Sequence, residues 1–191
     1  MKRAAIVLTI MTAILAFMLA SCGGNSARAA VKSDLERLRT SETAPSQLAS
    51  VQEDLPEEAG QDFEAFLSKV RDFDYKVLGS ETVSENGEEY TIVDVKITSY
   101  DFGKEYLATW TDYLKNHGDA SVEDAEGGEF LTGLFSRLSK LDKKDHISFV
   151  EIKAAQDPGS GEWTTDIRTN EDLQNALFGG MISEMKTLAD E

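Results

Sequence analysis

Cysteine is all but missing from this chain. Its one cysteine, Cys22, leaves no internal disulfide, no thiolate metal site and no cysteine-based catalytic centre in the domain that follows it. Histidine is scarce as well: His117 and His146 are the only two, and neither sits in an HExxH or comparable motif. No nucleophile elbow occurs, and Gly23-Gly24, Gly127-Gly128 and Gly179-Gly180 lack the spacing of a phosphate-binding loop. Positive charge is the third shortage. The 19 Lys and Arg stand against 35 Asp and Glu, a formal net charge of -16, which repels phosphate backbones and sets nucleic-acid binding aside. Apolar residues still reach 41%, so the chain can pack a core, and stability has to come from that packing.

One long apolar run is present. Met1-Lys2-Arg3 is basic, Ala4 to Leu19 is uncharged and mostly apolar, and the run ends in Leu19-Ala20-Ser21-Cys22 before the small, flexible Gly23-Gly24-Asn25-Ser26. The run is short for a membrane span, which takes about 20 apolar residues, and fits the core of a signal peptide. Leu19 to Cys22 resemble the lipobox of bacterial lipoproteins, in which Leu19, Ala20 and Ser21 are read by the signal peptidase and Cys22 takes the lipid. This implies a signal peptide over 1–21, a lipid-anchored tether over 22–29 and one domain over 30–191. Loss of Lys2 and Arg3 with the signal peptide leaves 17 basic and 35 acidic side chains, net -18. A surface that acidic disfavours anionic lipid, so membrane attachment falls to the anchor.

Periodicity divides the domain. Val31, Leu35 and Leu38 mark a helix over Ala27 to Arg39; Leu48, Val51 and Leu55 a weaker one; Phe63, Phe66, Leu67 and Val70 a stronger one within Glu57 to Arg71. From Phe73 the period becomes two. Phe73, Tyr75 and Val77, then Thr91, Val93, Val95 and Ile97, predict a hairpin across a loop, Gly79 to Glu89, that holds the turn pair Asn86-Gly87. Asp101 caps a helix bearing Phe102, Tyr106, Trp110 and Tyr113, which ends at Asn116-His117-Gly118. Phe130, Leu131, Leu134, Phe135, Leu138 and Leu141 predict another helix. A second hairpin joins Ile147–Ala154 to Trp163–Arg168 through Asp157-Pro158-Gly159-Ser160-Gly161, and a single C-terminal helix capped by Asn170 runs through Leu173, Ala176, Leu177, Met181, Met185 and Leu188. The order is that of an α+β domain.

Three stretches carry a family resemblance: Phe73 to Gly79, Val93 to Gly103, and Trp163 with the later Asn175 to Gly180. They resemble Gram-positive bacterial lipoproteins with an NTF2-like, cystatin-like domain of unknown function. The resemblance implies a curved antiparallel sheet of two hairpins wrapped on N-terminal, inserted and C-terminal helices, often around a cone-shaped cavity. A long acidic insertion, Asp119 to Lys144, departs from that pattern. The resemblance brings no catalytic residues.

Two constellations remain. Asp119, Glu123, Asp124, Glu126 and Glu129 could offer oxygens to calcium, but the spacing is not that of an EF-hand and acids at a helix start are expected anyway. Asp94 with Tyr75 or Tyr90 is the acid–tyrosine pair that a cavity enzyme of this fold would use. Asp94 alternates with Val93 and Val95, however, and so points away from the helices if those pack on the sheet. The expectation is therefore a non-enzymatic, lipid-anchored binding or interaction module on the outer face of the cytoplasmic membrane, with no metal or cofactor. Its partner is an unknown small ligand or envelope protein. The alternatives are an enzyme built on the acid–tyrosine pair and a structural, homodimeric envelope component.

Overall fold

The computed structural model describes residues 26–40, 59–118 and 128–189. Helix α1 (Ala27–Thr40) starts inside the stretch expected to be tether, and it buries Val31, Leu35 and Leu38 on one face. Helix α2 (Gly60–Arg71) presents Phe63, Phe66, Leu67 and Val70 to the same core. The Leu48, Val51 and Leu55 stripe lies outside the described residues, as do the signal peptide and Cys22.

Strands β1 (Asp74–Glu85) and β2 (Glu88–Ser99) form a long antiparallel hairpin. Its turn is Asn86-Gly87, with φ of 55° and 86°. Both residues are left-handed, the conformation that the right-handed twist of the strands demands of a two-residue turn. The Gly79–Glu89 loop expected from sequence is thus mostly strand. Glycine and serine at 79, 80 and 84 weaken the local preference, but the ladder with β2 overrides it.

The chain leaves the sheet through helix α3 (Phe102–His117). Asp101 accepts a bond from the Lys104 amide at 3.1 Å, and the Gly118 amide closes the helix on the Leu114 carbonyl at 2.8 Å. Helix α4 (Gly128–Leu138) belongs to the insertion and packs Phe130, Leu134 and Phe135 inward. Strand β3 (His146–Gln156) then pairs with β2, and β4 (Trp163–Thr165) with β3, both antiparallel. β4 has three residues rather than the six expected, because Asp166 turns the chain. Its amide donates to the Lys153 carbonyl and its carboxylate accepts from the Lys153 amide, both at 3.0 Å.

The C-terminal stripe is two helices, α5 (Glu171–Leu177) and α6 (Met181–Ala189), instead of one. Asn170 caps the first as expected, accepting from the Leu173 amide at 2.9 Å. Gly179 and Gly180, at φ 52° and 80°, then break the helical path.

Six helices and one four-stranded antiparallel sheet make up the described residues, an α+β architecture. The curved NTF2-like wrap is not formed. The strands run β1-β2-β3-β4 as an open meander that does not curl. Curling needs repeated bulges or glycine kinks, and the β1–β2 ladder has one register shift, at Val77/Gly79, while the β2–β3 register is continuous. Nor can a three-residue β4 wrap around anything. Helices cover one face, where Val93, Val95, Ile97, Val150, Ile152 and Ala154 are buried against them. The aromatic stripe of α3 is core: Tyr106, Trp110 and Tyr113 each meet the Phe130 ring edge-on, 5.7 to 6.0 Å between centroids.

Candidate functional site

The face of the sheet turned away from the helices holds the most unusual chemistry. Alternation puts Ile92, Asp94, Lys96 and Thr98 of β2 there, with Ile147, Phe149, Glu151 and Lys153 of β3. On β1 the bulge after Val77 adds one residue, so Leu78 breaks the alternation and is exposed. All three exposed large apolar side chains of the described residues are on this part of the sheet: Leu78 at 47%, Ile147 at 52% and Phe149 at 72%. Leu78, Gly79, Asp94, Phe149 and Glu151 line an open groove of about 360 Å³. A Cβ on Gly79 would sit 3.1 Å from Asp94 Oδ2, close enough that the carboxylate would have to shift slightly.

The register sorts the charges of this face into rows. Lys76 stands opposite Lys96, which stands opposite Phe149; one row along, Gly79 stands opposite Asp94 and Asp94 opposite Glu151. Like charges directly across a ladder repel. Among the described residues none of Lys76, Lys96, Asp94 or Glu151 has an ion-pair partner.

The acid–tyrosine constellation expected from sequence does not assemble. Asp94 points outward, as its alternation implied, but lies in the groove. Tyr75 faces the helices beside Ile97 and donates to Glu36 Oε1 at 2.9 Å; burial first, then Glu36, pushes its hydroxyl up to about 12. Tyr90 is on the outer face four residues from Asp94, about 13 Å along the strand. It donates to Glu85 Oε2 at 3.0 Å, which raises its pKa, and Lys153 Nζ lies 3.7 Å from its ring centre. His117 stacks on Tyr113 and its Nδ1 lies 3.0 Å from the Tyr113 carbonyl oxygen, a helix-end role. His146 Nε2 lies 2.9 Å from Ser148 Oγ. No group of three or more metal-capable side chains occurs among the described residues. Asp119, Glu123, Asp124 and Glu126 lie outside them, and Glu129 is 3.6 Å from His117 Nε2.

A different acid–tyrosine pair is present, which sequence spacing did not suggest. Tyr100, just after β2, donates to Asp72 Oδ2 at 2.8 Å, and Lys144 reaches Asp72 Oδ1 at 2.6 Å and Asp74 at 3.4 Å. Lys69 lies over the Tyr100 ring at 4.8 Å and also donates to the Leu141 carbonyl. Burial opposes ionisation of Asp72, but the bonds from Lys144 and Tyr100 outweigh it and hold the carboxyl below its ordinary value. Burial, then Asp72, pushes the Tyr100 hydroxyl up to about 12. Three segments far apart in sequence meet here, so no motif could announce it.

At neutral pH Tyr100 is a firm donor that ties the end of α2 to the end of β2. The fold favours its neutral form, so its contribution is complete below the unfolded value of 10.0 and disappears as pH rises through about 12. Tyr100→Phe is expected to cost about 1 kcal/mol at pH 7, since Asp72 is half exposed and screened. Urea melts of both forms should show the gap closing between pH 10 and 12. A gap unchanged across that range would rule out the donor role. Comparison with family models, with curated proteins and with solved structures returned no match.

Proposed function

We propose that this protein is a lipid-anchored, extracytoplasmic interaction module. Cys22 holds it at the outer face of the cytoplasmic membrane, and the outer face of its sheet does the binding. The anchor is supported by the basic start, the apolar run and the small residues in register with Cys22. The binding face is supported by Phe149, an aromatic ring left 72% exposed beside Leu78 and Ile147. Grouped apolar exposure rimmed by charge marks interaction surfaces far more often than lone exposed residues do.

A second reading, an enzyme working through an acid–tyrosine pair, is favoured by the Tyr100–Asp72 bond. Its weakness is chemical. A hydroxyl with a pKa of about 12 gives and takes protons poorly near neutrality.

Maleimide labelling tests the leading reading on the full chain in its own membrane. The parent chain, denatured in detergent, should take no label, because the lipid occupies its one thiol. Thr98→Cys, on the outer face, should label about tenfold more slowly in intact cells than Ser160→Cys in the β3–β4 turn, and as fast once unfolded. Labelling of the parent would remove the anchor. Equal rates for the two variants in cells would remove the binding face.

A further inference from the structure

The two central charged rows of the outer sheet face complement each other. The lysine row, Lys76 and Lys96, and the carboxylate row, Asp94 and Glu151, are adjacent outward rows of one face. Consider a two-fold axis in the plane of that face, running across the strands between the two rows. It lays each copy's Lys96 over the other's Asp94 and Phe149 over the other's Glu151, while the next rows out bring Asp74, already paired to Lys144, over Glu81. An axis along the strands would instead set lysine on lysine. One symmetric arrangement therefore gives one member of each like-charge pair an opposite charge, and an isologous contact makes that pairing twice. We infer that the occupant of this face is a second copy of the chain, docked sheet to sheet.

This rests on the outer face being an interaction surface, as proposed above, and adds who occupies it. A partner of one charge sign would meet repulsion from one of the two rows. That matters because the chain as a whole is acidic, net -16, so two lysines facing each other across a ladder are an uncommon use of its few cations. The apolar side chains suit the same arrangement. Leu78, Ile147 and Phe149 flank the charged rows and would be shielded when two sheets close to about 10 Å. Three strands of this length offer a flat face of about 500 Å². That is a small patch against the roughly 800 Å² per partner of standard interfaces, so the contact is weak and depends on concentration at the membrane.

Charge exchange on the full, lipidated chain gives the test. Two differently tagged copies are made in one cell, membranes are dissolved in mild detergent, and co-capture of one tag by the other is measured. The parent should co-capture itself. Lys96→Glu alone and Asp94→Lys alone should each lower the yield about tenfold, since each opposes like charges at two symmetric points. Lys96→Glu on one tag with Asp94→Lys on the other should restore it to within about twofold, with total charge equal to that of the parent pair. Asp94→Arg with Lys96→Asp serves in place of the first exchange if either variant does not fold by circular dichroism. Failure of the parent to co-capture, indifference to the single exchanges, or failure of the mixed pair to recover would each overturn the inference. Slow labelling of Thr98→Cys in cells, with no co-capture, would leave the binding face standing and assign it to another partner.

Discussion

Gly179→Ala is expected to cost about 3 to 5 kcal/mol, a large share of the 5–15 kcal/mol that holds a typical domain together. Gly179 sits at φ 52° between α5 and α6, where the backbone turns back on the start of α3. An added Cβ would overlap the Tyr100 carbonyl oxygen and lie 2.7 Å from the Phe102 amide nitrogen. The Gly179 carbonyl also accepts from the Gly103 amide at 3.0 Å, and a Cβ on Gly103 would press on the same carbonyl oxygen at 3.0 Å. Two stretches of main chain are in contact here, with no flexible side chain to give way. Gly60→Ala is the matched control. Nothing lies within 4 Å of its added Cβ and the residue opens a helix, so the change should be neutral or stabilising by up to about 1 kcal/mol. Urea midpoints of both variants decide the matter; a Gly179→Ala midpoint equal to that of the parent would mean that the junction yields.

Phe66→Ala is expected to cost about 3 to 5 kcal/mol by leaving a cavity where four elements meet. The Phe66 ring is 2% exposed and lies between 5.1 and 6.4 Å, centre to centre, from Phe63, Phe102, Phe135 and Phe178. Those partners come from α2, α3, α4 and the turn after α5, so one truncation loosens the whole helical layer. Phe149→Ala gives the contrast. With its ring mostly in water it should change stability by no more than about 0.5 kcal/mol. Similar losses for the two variants would show that Phe149 serves the fold instead of a binding surface.

Local rules explain which parts of this fold could be read from its residues. The Asn86-Gly87 turn, the Asp101 and Asn170 caps, and the period-two runs of β1, β2 and β3 are decided by neighbours within a few positions, and all are found where the residues place them. The departures lie where distant contacts decide. β1 continues past Gly79 because β2 offers it a ladder, and the C-terminal stripe breaks because two glycines must fit against Tyr100 and His146. Sheet curvature is implied only by the resemblance, and it depends on bulges that the β2–β3 register does not contain.

The site divides in the same way. The outward direction of Asp94 followed from its alternation with Val93 and Val95. Extending that alternation to β3 would have exposed Phe149, since Val150, Ile152 and Ala154 claim the inner face. What alternation cannot supply is pairing across strands, and so the opposed lysines and opposed carboxylates emerged only with the register. Tyr75 illustrates a further limit, because its partner, Glu36, is on a helix 39 residues away.

The sheet's chain order has a kinetic consequence. β1 and β2 meet through a two-residue turn and can pair in microseconds, whereas β2 and β3 are separated by residues 100–145 and can pair only after that span closes. Until then the inner edge of β2, rich in valine and isoleucine, stands bare to other chains. A chain emerging unfolded on the far side of a membrane would pass through that interval with no disulfide to shorten it. If the chain is exported as proposed, folding speed outside the cell, more than final stability, decides how much of it survives.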